Sequence, residues 1–178
     1  MRPEARPEIC RYDTPWGAGF AACRHGGVTR VWLPGSEPPE VRESVCPGSR
    51  GLCGQVSRQL GQYFYGERRG VDLPLDLTGL SAFAAAVLRI AMRIPPGEVR
   101  TYGWLADGIG RPGAARACGQ VMARNPLPVL VPCHRVVAAG GGAGGYSAGL
   151  IWKKRLLALE GFELSLPPGV CAGGGDVE

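Results

Sequence analysis

Between Ser81 and Asn125 the chain carries a start or stop signal at each helix boundary, and this punctuation constrains the fold most. Ser81 precedes the apolar run AFAAAVLRIAM, where its hydroxyl can accept from an unpaired first-turn N–H. Pro95-Pro96-Gly97-Glu98 breaks that run. Thr101 can cap a short helix from Tyr102 to about Gly108. Gly110-Arg111-Pro112-Gly113 then turns the chain, and a second helix, Ala114 to Arg124, stops at Asn125-Pro126. Two short helices around a glycine-containing turn form a helix-turn-helix pattern, which ordinary helical hairpins can also show. A major-groove reader presents Arg, Lys, Asn or Gln to base edges. This second helix presents small residues, with Arg116 and Arg124 as its charges. Small side chains permit close approach, so minor-groove binding with one inserted side chain fits better than sequence readout. The alternative is close packing on a neighbouring helix.

The reactive candidates follow at once. Val129 to Val131 reads as a strand-like stretch, and Pro132 then presents Cys133, His134 and Arg135. The thiolate is the nucleophilic form of cysteine, and an unperturbed thiol is only a few per cent ionised near pH 7. A base and a cation within two residues raise that fraction. An isolated Cys-His pair is more often a structural cysteine beside a surface histidine, so the surroundings must decide. A glycine-rich loop, Ala138 to Gly145, follows, and then Tyr146-Ser147-Ala148-Gly149. The last helix runs from Trp152 to Glu160, with Leu156, Leu157 and Leu159 toward the core. A carboxylate at a helix C-terminus opposes the macrodipole, so Glu160 calls for a specific partner, and His134 is the candidate.

Charge separates the two halves. Residues 1–79 carry a net +1, residues 80–164 a net +6 and the last fourteen −2, for a total of +5. The basic excess lies with Cys133, which fits a polyanionic partner such as nucleic acid, or an ordinary solvated surface. No apolar run has the length of a membrane span, and residues 1–10 lack a signal-peptide core, so no membrane and a cytoplasmic location are expected. Seven cysteines at irregular spacing, with no C-x-x-C, argue against a disulfide framework and a zinc knuckle. Cys10, Cys23 and His25 are a poor metal set, so no metal is expected.

The N-terminal portion shows no chemistry. Residues 1–8 read as loose and residues 34–50 as a loop. Residues 17–33 form two short strands around His25-Gly26-Gly27. Val56, Leu60, Tyr63 and Phe64 mark one face of a helix from Gln55 to Phe64. Val71 to Leu80, interrupted by Pro74, fits an edge strand or an extended linker. The expected architecture is α/β (α+β) with two domains. Residues 1–79 form a small α/β support domain with a short antiparallel sheet. Residues 80–164 form a mainly helical domain with the helix-turn-helix, and residues 165–178 a flexible tail.

The segments IPPGEVRTYGWLA, AARACGQVMARNP, PVLVPCHRVV, GGYSAGL and KKRLLALEG occur in this order between about Ile94 and Phe162. In order and spacing they resemble the O6-alkylguanine-DNA alkyltransferases, the methylated-DNA–protein-cysteine methyltransferases. The resemblance implies DNA repair by irreversible, single-turnover transfer of the alkyl group from O6-alkylguanine, and less so O4-alkylthymine, to Cys133. It implies that His134 takes the thiol proton through a water, that Glu160 orients His134, and that Asn125 forms the hinge before the cysteine. Tyr102 would crowd the phosphate, and Arg116 would enter the minor groove and fill the vacated stack. Ala115, Arg124 and Arg135 complete the expected DNA-contacting set. Tyr146 and Ser147 would lie over the guanine O6, and the carbonyls of Cys133 and Val136 would accept from its amino group. The implied partner is alkylated double-stranded DNA, bound by a monomer through the minor groove, with no cofactor.

This sequence departs from the family pattern at two places. Ala148 stands where the family often has glycine, and Cys118 lies in the second helix. The zinc ligands of vertebrate members are not matched. Two other readings remain. One is a non-catalytic lesion-binding relative, which the presence of Cys133, His134, Asn125 and Glu160 disfavours. The other is a thiol hydrolase, which explains neither the helix-turn-helix nor Arg116.

Overall fold

The computed structural model describes residues 7–36, 45–46 and 51–164. The N-terminal half is a four-stranded sheet covered by one helix. Strands β1 (Glu8–Thr14), β2 (Gly17–Arg24) and β3 (Gly27–Trp32) form an antiparallel meander, and the short β4 (Val45–Cys46) pairs parallel to β1, giving the order β3-β2-β1-β4. His25 and Gly26 both have positive φ in the two-residue β2–β3 connection, the backbone that a primed hairpin turn requires. Helix α1 (Gly51–Phe64) buries Val56, Leu60, Tyr63 and Phe64. The Phe64 ring stacks on Tyr12 at 5.6 Å. Burying a side chain of this kind stabilises the fold by roughly 1.5–3 kcal/mol.

The C-terminal half follows the helix punctuation closely. The Ser81 hydroxyl accepts from Ala84 N and caps α2 (Ala82–Ala91), and the Thr101 hydroxyl accepts from Trp104 N and caps α3 (Tyr102–Gly108). Helix α4 (Ala115–Ala123) follows the Gly-Arg-Pro-Gly turn and buries Cys118 and Met122. Strand β5 (Arg100–Thr101) pairs parallel with β6 (Val136–Val137), and α5 (Leu150–Leu159) closes the described chain.

Several expectations fail. Glu8, read as the end of a loose start, opens β1, and residues 9–14, to which no element was assigned from sequence, complete it with Cys10, Tyr12 and Thr14 buried. Residues 129–131 are not a strand. Val131 N bonds Leu127 O at 2.8 Å in a tight turn, and Val129 takes φ 74°, which a β-branched residue rarely adopts. Cys133–Arg135 form a 3-10 turn. Cys10 and Cys53 are joined by a disulfide, because strand pairing and α1 bring together residues 43 apart in sequence, a meeting that local spacing cannot show. The Val71 to Leu80 stretch fits the linker alternative: one bridge, Leu75 to Val28, joins it to the sheet, and a turn closes it at residues 78–79. The expected 165–178 tail lies outside the described residues, as does most of the expected loop 34–50.

The halves share one buried core. Trp16 from the β1–β2 turn meets Trp152 of α5 edge-on at 5.7 Å, and Val31 N of β3 bonds Pro126 O at 2.8 Å, just past α4. The N-terminal sheet thereby anchors the segment that leads to Cys133.

Candidate active site

Pro132 delivers Cys133 into a 3-10 turn that buries Cys133, His134 and Arg135 together. Cys133 Sγ lies 3.7 Å from the Tyr146 hydroxyl. Burial pushes the thiol pKa above its ordinary value, only partly opposed by hydrogen bonds from Asn125 and Tyr146 and by the positive charge of Lys153. The resting group at neutral pH is therefore the thiol, and its reactivity depends on a route for the proton.

The next residue, His134, has no exposed surface. Its Nε2 lies 2.8 Å from Glu160 Oε1, while Nδ1 has no hydrogen-bond partner among the described residues. With Nε2–H donated to the carboxylate, Nδ1 is the acceptor nitrogen of the neutral ring. Burial lowers the His134 pKa, with Glu160 opposing, so the ring is neutral and can accept a proton.

Glu160 caps the end of α5 and is 2% exposed. Burial alone would raise its pKa, but hydrogen bonds from His134, Arg135 and Tyr63 outweigh that and lower it to about 2. Arg135 holds both oxygens, Nε to Oε2 and Nη2 to Oε1, each at 2.8 Å, and its Nη1 donates to Ile94 O at 2.5 Å. The expected DNA-contacting role of Arg135 does not fit this position. The guanidinium points inward and serves Glu160, because a buried carboxylate at a helix C-terminus needs a full counter-charge. The Tyr63 hydroxyl of α1 adds a 2.6 Å bond to Oε1.

Lys153 is a second buried cation, with its ammonium donating to Val136 O at 2.6 Å and to Ala143 O. Burial lowers its pKa to about 8. Sequence reasoning missed both Tyr63 and Lys153 as site residues. A signal existed for Lys153: at helical spacing it shares the face of Leu156, Leu157 and Glu160. Tyr63 carried no signal beyond an apolar face, because its partner lies 97 residues away.

Asn125 works as a clamp: its Nδ2 donates to Val131 O at 3.0 Å and its Oδ1 accepts from Leu127 N at 3.0 Å. An open cleft of about 260 Å³ is lined by Cys133, Asn125, Tyr146, Ser147 and Ala148, together with Arg30 and Trp32 of β3. Val136 is buried, and its carbonyl already accepts from Lys153, so a base amino group would use its second lone pair. Tyr102 opens α3 and is half-buried; a Cβ on Gly119 of α4 would lie 3.8 Å from its ring. Arg116 on α4 and Arg124 at its C-terminal cap are exposed, and Ala115 is partly exposed. His25 sits in the β2–β3 turn, outside the cluster formed by Cys10, Cys23 and Cys53.

A buried Cys-His-Glu chain opening on a cleft beside a helix-turn-helix defines a cysteine-dependent group-transfer protein that handles nucleic acid. The DNA binding domain of 6-O-methylguanine DNA methyltransferase matches residues 82–162. The methylated-DNA–protein-cysteine methyltransferase of Mycolicibacterium paratuberculosis is 43% identical over 148 residues, covering 83% of this chain and 88% of that protein. The enzyme of the same name from Methanosarcina acetivorans is 47% identical over 151 residues, covering 84% and 96%. Mycobacterium tuberculosis OGT in complex with DNA superposes with a TM-score of 0.74 at 37% identity, covering 86% of this chain and 92% of that one. The chain belongs to the methylated-DNA–protein-cysteine methyltransferase family.

Proposed function

We propose that Cys133 is the terminal acceptor in direct reversal of O6-alkylguanine in duplex DNA. The observation that carries this reading is a cleft-lining thiol whose chain neighbour, the buried His134, is bonded to a Glu160 held ionised by Arg135 and Tyr63, with His134 Nδ1 left to accept a proton. A water passes the thiol proton to His134 Nδ1, and Glu160 stabilises the imidazolium that forms. The thiolate attacks the alkyl carbon, an S–C bond forms and the C–O6 bond breaks. The departing guanine takes a proton or hydrogen bond from the hydroxyls of Tyr102, Tyr146 or Ser147. The thioether has no easy leaving group, so each molecule acts once.

The target must leave the stack, at a cost of a few kcal/mol. Arg116, exposed on a helix of small residues, fills the gap from the minor groove. Tyr102 crowds the phosphate, while Arg124 and the close-approaching Ala115 contact the backbone. The chain acts as a monomer in the cytoplasm, with residues 1–79 and 80–164 as its two domains. Incubation with duplex DNA across a salt series tests the binding mode. Affinity should fall steeply with salt and vary little with sequence; strong sequence preference would overturn it.

A further inference from the structure

The cleft beside Cys133 holds a pair of side chains that the transfer chemistry does not use. Arg30 and Trp32 flank Val31 on β3 and share one face of the strand, while Val31 is buried in the core. Val31 N bonds Pro126 O at 2.8 Å, so this edge strand is held against the segment that leads to Cys133. Trp32 packs against Ile9, Phe20 and Ala22, and the exposed Arg30 guanidinium lies over its ring, 5.6 Å from the centroid. A packed aromatic ring gives the cation a fixed platform. Among the described residues Arg30 has no hydrogen bond or ion pair, so its N–H donors are open to a ligand. The cleft lining contains Arg30 and Arg124 and no carboxylate.

We propose that Arg30, set on Trp32, is a specificity residue for alkyl groups that end in a carboxylate, of which a carboxymethyl group on guanine O6 is the simplest. The proposal rests on the repair function given above. A carboxylate next to the attacked carbon repels the incoming thiolate, and a guanidinium in the same cleft offsets that repulsion. Arginine also presents its donors in a planar fork that matches the two carboxylate oxygens. The group is compact, which suits a cleft narrowed by the Ala148 methyl.

The step balances without a further reactant. The thiol proton leaves toward His134, the thiolate attacks the methylene carbon, an S–C bond forms and the C–O6 bond breaks. The guanine takes up a proton, and the carboxylate stays ionised on the carboxymethyl thioether. A DNA phosphate offers Arg30 the same oxyanion chemistry. The lesion carboxylate is the better match because Arg30 shares its cleft with the acceptor thiol, where the alkyl group must lie.

The measurement is a ratio of single-turnover rates, O6-carboxymethylguanine over O6-methylguanine, taken with the full chain on duplex DNA and on the free bases. The unsubstituted chain should transfer both groups. Arg30→Gln should lower the ratio about fivefold in both formats, the upper end for an ion pair that keeps contact with water. Arg30→Lys should restore part of it. Added salt should lower the free-base ratio of the unsubstituted chain and leave that of Arg30→Gln level. An unchanged ratio in Arg30→Gln overturns the proposal. So does an equal loss for both lesions on duplex with no loss on the free bases, which would assign Arg30 to a DNA phosphate. Methyl transfer without carboxymethyl transfer by the unsubstituted chain also overturns it. Failure of the repair function itself would be seen differently, as no transfer of either group, and would overturn both.

Discussion

The Tyr63 hydroxyl donates to Glu160 Oε1 across 2.6 Å, joining a helix of the N-terminal half to the carboxylate that holds His134. A hydrogen bond to a charged acceptor contributes about 1.5–3 kcal/mol. Tyr63→Phe keeps the ring and its edge contact with Phe64, so it removes this bond with little change in packing. We expect a folded protein whose single-turnover transfer rate falls about tenfold, in line with about 1.4 kcal/mol. Stopped-flow transfer from alkylated duplex, compared with DNA binding by the same variant, measures it. Lost binding with an unchanged transfer rate would contradict this role.

Glu160 also governs acid stability. Its pKa falls from 4.5 in the unfolded chain to about 2 in the fold. A depressed carboxyl pKa stabilises the fold above the unfolded value, and that contribution is lost as pH falls through the folded value. Urea unfolding should show stability declining from about pH 4.5 toward about pH 2, by on the order of 3 kcal/mol. Glu160→Gln should flatten that window. Arg135→Ala leaves the carboxylate without its counter-charge and should cost about 3–5 kcal/mol. A near-neutral Arg135→Ala with weakened DNA binding would restore the outward role assigned from sequence.

Arg116 on α4 and Arg124 at its C-terminal cap are both exposed, but their proposed roles differ. Arg116→Ala should slow transfer from duplex DNA about 10- to 100-fold, because it removes the group that offsets a flip of a few kcal/mol. Transfer from free O6-alkylguanine base, which needs no flipping, should be unchanged. Arg124→Ala should instead weaken binding on all sequences and reduce the salt slope by about 1. Equal losses on free base and duplex would rule out the flipping role.

Ala148 lines the cleft beside Ser147 and Tyr146. Its methyl narrows the space for a bulky alkyl group. Ala148→Gly should raise the rate for benzylated relative to methylated DNA by several-fold, since one methylene in a pocket is worth about 1–3 kcal/mol. The ratio of the two rates is the measurement, and an unchanged ratio would remove Ala148 from the account.

Local signals in the sequence led to local structure. Ser81 and Thr101 cap their helices because a cap is a contact three residues long, and the run from Pro132 to Arg135 put Cys133 and His134 in one buried turn. The features that escaped join distant parts of the chain. Tyr63 reaches Glu160 across 97 positions, Cys53 reaches Cys10 across 43, and β1 exists because β2 pairs with it. Arg135 was misplaced because a basic residue in a basic half reads as a surface charge until the buried carboxylate it serves is seen. Val129 misled for a related reason: its apolar, β-branched neighbourhood favours a strand, but it sits at positive φ in a turn that the Asn125 side chain brackets with hydrogen bonds to Leu127 N and Val131 O.

The most direct test uses duplex DNA with one O6-methylguanine, followed by peptide mass analysis of the protein. The account predicts one added methyl per molecule, located on the Cys133 peptide, with stoichiometric loss from the DNA. Cys133→Ala should abolish transfer and still bind the lesion. Lesion binding by the unsubstituted chain without any methylated peptide, or a methyl carried on a different cysteine, would contradict it.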